Sequence, residues 1–367
     1  MMNQNEDMFA DSLVRILADH ADGMHAAPWA ASLWATLDGA GFPRALAAES
    51  AGGSALGWAD AFSLFAAAGQ AAAPVPLAES MVAHWLLGTA DIASAATLLS
   101  LSAPRQPLDL SQRAAGGWAL SGTLPRVPWG RLVDGVVTIA LHEGKPMAVL
   151  IACKGEGVSI KEGQDLAAEP RDDLVLHGAP AQACGASPLS PMDLMAIAAA
   201  ARAAQMAGAL RAVLTGSVEY ANLRKQFGRS LSAFQAIQHK LAAMATQTAA
   251  ALAAAQAGME AIDACLSAPQ ADRMADSIEL ATAKIRAGEA AGLCATGAHQ
   301  VFGAIGFTVE HSLHQHTKRL WSWRDEFGNE AFWSRRLGES IIASGPGQLW
   351  PRVTARAGHA PLREVAG

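Results

Sequence analysis

Two short stretches of this 367-residue chain carry residues that could bind a charged ligand. The first is Arg224–Gly228, of sequence RKQFG, with Gln235 shortly after it, and the second is Gln300–Phe307, of sequence QVFGAIGF. An arginine presents a planar fork of donors that fits a phosphate, and a glutamine adds hydrogen bonds without adding charge. Glycine lets the backbone approach a ligand closely. These residue types predict a phosphate-binding site in which Phe227 offers an apolar face to a ring.

Other kinds of site find less support. Three histidines follow Glu310 within a few residues, but no cysteine or distant histidine completes a zinc site, so no metal is predicted. Gly303 and Gly306 follow a helical pattern and not a strand, which argues against a Rossmann fingerprint. The net charge of −6 gives no basic surface for nucleic acid.

Composition predicts a cytoplasmic protein. The first residues are polar and acidic, unlike a signal peptide, and no stretch has the charge-free apolar run that a membrane span needs. The four cysteines are widely spaced without a CxxC pair, which indicates reduced and mostly buried thiols.

The pattern along the chain changes twice. Residues 1–95 show helical spacing of apolar side chains, and residues 96–187 replace the alanine runs with prolines, glycines and β-branched residues. Long alanine-rich helical patterns return in residues 188–344, and residues 345–367 are rich in Pro, Gly and Arg. We therefore predict an α+β multidomain fold: an N-terminal helical domain, a middle β-barrel, a C-terminal four-helix bundle and a flexible tail.

Within this order, individual elements can be placed. One long helix is expected from Met192 to Leu223, with a candidate kink around Gly208, and a second follows the apolar stripe from Ile237 to Ile262. Strands are predicted at 118–123, 136–140, 147–152 and 174–176. Arg224–Gly228 therefore lies at a corner between two long helices.

The two stretches and this order of domains resemble the acyl-CoA dehydrogenase family over essentially the whole chain. Arg224–Gly228 is similar to the family's Arg-x-x-Phe-Gly block, and Gln300–Phe307 is similar to its Gln-x-x-Gly-Gly-x-Gly-Phe block, with Ala304 at the second glycine. The resemblance implies FAD as cofactor, an acyl-CoA thioester as substrate and an electron-transfer flavoprotein as electron acceptor. It also implies a tetramer, built as a dimer of dimers, in which one subunit reaches its neighbour's FAD. The implied cofactor-binding residues are Arg224, Gln226, Phe227, Gln235, Gln300 and Gly303.

The middle domain departs from the family pattern. Where the family has a lysine and a Trp-x-Thr beside the flavin, the same register gives Leu124, Arg126 and Pro128 in this chain. Trp129 is a candidate for the missing aromatic role.

The catalytic base is missing from both expected positions. The resemblance implies a carboxylate either at position 327 or at position 198, and these are Phe327 and Ala198. Because such a base contributes on the order of 10²–10⁴-fold to the rate, its loss would be decisive. Asp325 and Glu326 are the remaining candidates if the loop is shifted by one residue.

Three functions therefore stay open. The chain is an FAD-dependent enzyme that performs α,β-dehydrogenation of an acyl-CoA, or a non-catalytic partner that completes the FAD and CoA site of a homologue in a heterotetramer. The third is a flavoenzyme of the same fold with different chemistry.

Overall fold

The computed structural model describes residues 4–24, 27–114, 116–267 and 274–354. Four α-helices come first in the chain, and their apolar faces share one core with the start of the first C-terminal helix. Their bounds are α1 Gln4–Asp19, α2 Ala31–Gly39, α3 Trp58–Gln70 and α4 Leu77–Thr89. Helix α4 is buried along almost its whole length.

Strands then replace helices, as the β-branched composition predicts. They form one mixed sheet in the order β1-β4-β5-β7-β3-β2, with β6 added against β7. The bounds are β1 Leu99–Leu101, β2 Leu110–Gln112, β3 Trp118–Pro128, β4 Gly135–His142, β5 Lys145–Ala152, β6 Val158–Lys161 and β7 Arg171–Ala186. All four strands predicted from the sequence are confirmed, and the short strands β1, β2 and β6 were not predicted. Closure of this sheet into a barrel stays a prediction.

The C-terminal part begins with two helices of 33 residues each, joined by the Arg224 corner. Ser190 caps α5 through a reciprocal pair of bonds with Asp193, which fixes where the helix begins. The bounds are α5 Pro191–Leu223, β8 Lys225–Gln226, β9 Arg229–Ser230, α6 Gln235–Ser267, α7 Ile278–Phe302, α8 Leu313–Asp325, α9 Glu330–Ser344 and α10 Pro346–Thr354. Helices α5, α6, α7 and α8 share a second core.

Gly208, the candidate kink position, lies inside an uninterrupted helix. Helix α5 runs without a break from Pro191 to Leu223. A Cβ at Gly208 would overlap the carbonyl of Ala66, and one at Gly69 would overlap the carbonyl of Gln205. The two glycines therefore let α3 and α5 cross at close range, and this packing explains Gly208.

Helix α6 is an exception to the statement that no stretch has the charge-free apolar run of a membrane span. By length and apolar content alone it could cross a membrane, and 33% of its most apolar window is buried. It nevertheless packs against α5 and α7, and Asp263 accepts bonds of 3.0 and 2.8 Å from the backbone of Trp58 and Ala59 at the start of α3. These contacts join α6 to the body of the protein and leave much of its apolar surface uncovered.

The segment predicted to be a tail is partly helical. Helix α10 spans Pro346–Thr354, within the 345–367 segment, and residues 355–367 lie outside the described part of the chain.

Candidate functional site

A cavity of about 700 Å³ lies between the β domain and the turn that joins α8 to α9. This volume is within the usual range for small-molecule sites. Residues 101–108, which follow β1, supply one wall with Pro104 and Pro107, and β3 supplies another. The floor comes from residues 325–328 together with Met195 of α5.

The wall from β3 carries a β-bulge that changes which residues face the cavity. The register with β7 shifts between Leu124 and Val127, so Pro125 and Arg126 both line the cavity. Leu124 instead lies in the core of the sheet with 0% exposure. Leu124 therefore does not line the cavity, whereas Arg126 and Pro128 do.

Trp129 does not take the role suggested for it. Its side chain is 2% exposed in the core of the β domain, packed on Trp29 with ring centroids 5.9 Å apart. It does not line the cavity. Its φ of +62° turns the chain away after Pro128, which directs the ring inward.

The turn that forms the cavity floor is tied into a buried network of charges. Glu326 accepts a bond of 2.6 Å from Nε of Arg171 in β7, and its other oxygen lies 2.7 Å from Nη2 of Arg202 in α5. Arg202 also pairs at 2.5 Å with Glu79 of α4. Beyond Arg171, Glu169 binds Arg319 of α8 at 2.7 Å. We call this set the buried ion cluster: Glu79, Asp165, Glu169, Arg171, Arg202, Arg319 and Glu326.

The electrostatics of the cluster hold Glu326 as a carboxylate. Burial alone would raise the pKa of Glu326, but Arg171 and Arg202 outweigh burial and lower it. Asp165 behaves in the opposite way, because burial raises its pKa more than the attraction of Arg171 lowers it. The cluster therefore joins the N-terminal helices, the β domain and the C-terminal helices through groups that are almost fully buried.

A buried lysine supports the same turn from the other side. Lys284 of α7 has 0% exposure and donates bonds of 2.6 and 2.8 Å to the carbonyls of Arg324 and Gly328. Burial lowers its pKa to about 7, against the opposing attraction of Glu330 and Glu326. Lys284 thus fixes the end of α8 and the end of the turn.

The predicted phosphate-binding residues lie elsewhere, on the surface. Phe227 is 91% exposed, and α7 ends at Gly303 with φ 65° and ψ −144°, a conformation that residues with a Cβ rarely adopt. The ring of Tyr220 stacks on Phe302 with centroids 4.4 Å apart, which brings the end of α5 to the end of α7. We call this set the motif surface: Arg224, Gln226, Phe227, Gln235, Gln300 and Gly303. None of its members lines the cavity.

The sequence of this chain is similar to those of known proteins. The family model described as acyl-CoA dehydrogenase, C-terminal domain, matches residues 190–332. Acyl-CoA dehydrogenase FadE34 of Mycobacterium tuberculosis is 33% identical over 247 residues, which are 67% of this chain and 32% of that protein. Acyl-CoA dehydrogenase FadE27 of the same organism is 26% identical over 328 residues, covering 84% of this chain and 87% of that protein.

The chain belongs to the acyl-CoA dehydrogenase family.

The fold is shared with solved structures. The ChsE4-ChsE5 complex from Mycobacterium tuberculosis superposes with a TM-score of 0.83 at 22% identity, covering 94% of this chain and 99% of the matched chain. The aligned part of this acyl-CoA dehydrogenase family member spans about a third of the length of FadE34.

For an acyl-CoA dehydrogenase family member, the two expected base positions lie side by side. Ala198 of α5 is 2% exposed, and it lines a small void together with Phe327, whose ring also lines the large cavity. Both positions at which the resemblance implies a base are therefore close together, and the chain has an alanine and an aromatic ring there. Glu326 lines the cavity too, but both of its oxygens are engaged by arginines. Asp325 is exposed and is the other carboxylate that lines the cavity among the described residues.

Sequence reasoning missed the partners of Glu326 in this family member. The sequence feature that could have indicated these partners is a charged residue inside an apolar run. Glu79 interrupts the apolar start of α4, and Arg202 interrupts the alanine run of α5. Lys284 likewise lies on the buried face of α7. A charge at such a position is rarely buried without a partner. What the sequence did not show is which charges pair.

The remaining candidates have ordinary roles. Among the described residues, no group of histidine, cysteine and acidic side chains has the geometry of a metal site. His299 stacks on Phe307 with centroids 4.3 Å apart and bonds Thr317 at 3.0 Å. Of the four cysteines, Cys153 and Cys294 are buried, and Cys184 and Cys265 are half-buried.

Proposed function

We propose that this chain is a subunit of an FAD-dependent acyl-CoA dehydrogenase that takes part in α,β-dehydrogenation of an acyl-CoA thioester. One observation carries the proposal: a single cavity is lined by Arg126 and Pro128, at the positions that flank flavin in the family pattern, and by Phe327, at a base position. The walls combine apolar residues with the polar Ser102, Gln106 and Thr123 and with four charged residues, Arg105, Arg126, Asp325 and Glu326. Such a cavity suits a flat ring and an acyl chain.

The residues present fit FAD. Arg224, Gln226 and Gln235 are all exposed, and nothing lies within 4 Å of a Cβ built on Gly303. Arg224 would hold a phosphate, the glutamines would bond ribose and phosphate oxygens, and Gly303 would admit backbone contact. When bound, FAD accepts a hydride from the β-carbon of the acyl group, and the family resemblance implies transfer of the electrons to an electron-transfer flavoprotein.

An oligomer is part of the proposal because the motif surface and the cavity are separate in one chain. Helix α6 leaves much of its apolar surface uncovered, and Phe227, Phe307 and Val309 are 91%, 71% and 85% exposed near the motif surface. Exposed apolar area of this kind marks an interface. We propose a dimer of dimers in which each motif surface meets a neighbour's FAD.

A second function is favoured by the contacts of Glu326. Proton removal from the α-carbon needs a carboxylate free to accept it, yet the pKa of Glu326 is lowered by Arg171 and Arg202, which outweigh its burial. Arg171 bonds one of its oxygens, and the other lies 2.7 Å from Arg202 as an ion pair without a hydrogen bond. Phe327 and Ala198 have no basic group. If Asp325 is not the base, this chain acts as the partner that completes the FAD or CoA site of a catalytic homologue. The ChsE4-ChsE5 complex is a structure of two differently named chains, which supports a mixed assembly here.

The test is to purify the chain alone and together with a co-expressed homologue, and to record the flavin spectrum with and without acyl-CoA thioesters. A yellow protein that bleaches on its own would establish catalysis by this chain and remove the partner function. Flavin and bleaching that appear only on co-expression would establish the partner function. A protein that holds no flavin in either case would overturn both.

If the chain is active alone, Asp325→Asn tests whether Asp325 is the catalytic base. We expect turnover to fall on the order of 10²–10⁴-fold, because the amide does not accept the proton. Asp11→Asn, on the exposed face of α1 and outside the cavity, is the matched control. Unchanged turnover in Asp325→Asn would exclude Asp325.

A further inference from the structure

The ring of Phe327 separates two spaces. On one side lies the cavity of about 700 Å³. On the other lies a void of about 10 Å³, room for roughly one water, whose walls include Ala198 and Ala201 of α5 and Val82 of α4. Phe327 and Leu101 line both spaces.

The backbone under this ring is held in an unusual conformation. Phe327 has a φ of +54°, a left-handed conformation that is unfavourable for a residue with a Cβ. The carbonyl of Phe327 accepts a bond of 3.0 Å from Nε1 of Trp333, the preceding Glu326 is bound by two arginines, and the carbonyl of the following Gly328 is bound by Lys284. Contacts on three successive residues therefore impose the strained conformation.

The ring itself is held from behind. The guanidinium carbon of Arg202 lies 5.6 Å from the centroid of Phe327, and Arg202 is 3% exposed. A swing of the ring would remove this cation–π contact and open the buried Arg202–Glu79 pair to water. The ring is therefore a rigid wall and not a mobile side chain.

We propose that Phe327 is the floor of the acyl site and determines how deep an acyl chain enters the cavity. The inference rests on the proposed function. With the ring in place the chain stops above Ala198. Without it, the cavity continues into a space whose apolar walls are Ala78, Val82, Leu101, Ala198 and Ala201, and whose polar walls are the buried Glu79, Arg202 and Gln205.

The test measures binding of saturated straight-chain acyl-CoA thioesters of increasing length to the purified protein, wild type and Phe327→Ala, by titration calorimetry. Each newly buried methylene adds about fourfold in affinity. We expect Phe327→Ala to shift the ratio of long-chain to short-chain affinity by about tenfold or more toward the long chains. Leu108→Ala enlarges the outer cavity without opening the inner void, and we expect it to leave this ratio within about twofold.

A second variant tests the direction of the extension. Ala198→Leu added to Phe327→Ala refills the inner space from the α5 side, and we expect the wild-type length preference to return. If Phe327→Ala fails to fold, Phe327→Leu keeps an apolar side chain of smaller area and should give the same shift to a lesser extent.

The failures are distinguishable. Acyl-CoA binding with an unchanged length preference in Phe327→Ala would overturn the role of Phe327 and leave the proposed function standing. Loss of all acyl-CoA binding in wild type and variants would overturn the proposed function. The crystal structure of Phe327→Ala would then show whether the ring of Phe327 separates the cavity from the inner void. One continuous space reaching Ala198 supports it, and collapse of α5 onto the turn contradicts it.

Discussion

The motif surface and the buried ion cluster use the same kinds of side chain in opposite ways. In the buried ion cluster, three guanidinium groups and four carboxylates contact one another at side-chain exposures of 0–7%. On the motif surface, Arg224 and Gln226 are exposed and make no side-chain bond with another described residue. The arginines of the cluster bind buried carboxylates and stabilise the fold. Arg224, in contrast, is available to bind a ligand that the chain does not contain.

The largest expected effect comes from breaking the cluster. Glu326→Ala leaves Arg171 and Arg202 buried with one fewer carboxylate, and we expect a loss of about 3–5 kcal/mol in the free energy of unfolding. Chemical denaturation measures it. The control is Glu289→Ala, whose exposed pair with Arg286 should be worth less than about 1 kcal/mol. Equal effects in the two variants would show that the cluster is not structural.

The cluster also shows what the sequence could and could not predict. Long helices and buried strands came from local spacing, because apolar periodicity is written into each segment. Glu79 and Arg202 are 123 residues apart in the chain, and no local pattern pairs them. The bulge beside Leu124 could not be predicted for the same reason, because only the pairing of two distant strands, β3 and β7, shows it.

The resemblance concerns residues that are distant in the chain, which periodicity does not relate to one another. It placed Phe327 and Ala198 at the base positions, and the structure brings both to one void. It placed Arg126 and Pro128 at the flavin, and both line the cavity. The role of each motif residue toward FAD stays a prediction, because one chain contains only half of the proposed contacts.

The second effect compares two glycines with positive φ. Gly328, in the turn beside the cluster, has φ +90°, and a Cβ there would lie 2.7 Å from Cδ1 of Phe332 and 2.8 Å from Nε1 of Trp333. Gly41 has φ +82° in open space. We expect Gly328→Ala to cost about 2–4 kcal/mol and Gly41→Ala about 1–2 kcal/mol in thermal unfolding. A smaller cost at Gly328 would mean that the turn yields easily.

The third effect falls on the motif surface and on binding, not on stability. Arg224→Ala removes one charge-assisted bond to a phosphate, so we expect FAD affinity to fall about 10–100-fold. The free energy of unfolding of the apoprotein should change by less than about 0.5 kcal/mol. Arg113→Ala, at an exposed ion pair of the β domain, should change neither quantity. Unaltered FAD binding in Arg224→Ala would remove this residue from the cofactor site.

The smallest effect is a pH dependence of the unfolding free energy. It arises from the buried Lys284 and not from the motif surface. The pKa of Lys284 is about 7 in the folded chain, well below the ordinary value of 10.5 that applies when the chain unfolds. Between these values the unfolded state binds more protons, so Lys284 makes stability rise with pH from about 7 upward, by at most about 1.4 kcal/mol per pH unit. A neutral amine still has two N–H donors, which match the carbonyls of Arg324 and Gly328.

The measurement is the difference in unfolding free energy between wild type and Lys284→Met across pH 7 to 9. Staying below pH 9 avoids Cys153, whose pKa burial raises to about 12 and whose contribution has the opposite sign. Lys284→Met should be less stable throughout, because two carbonyls lose their donor, but the upward slope should disappear. A slope that persists in Lys284→Met would place the titrating group elsewhere. Lys240→Met, on the exposed side beside Gln300, should leave the slope unchanged. If it does, the pH response and the proposed cofactor contacts lie in separate parts of the molecule, one sealed within the chain and the other open to a neighbour.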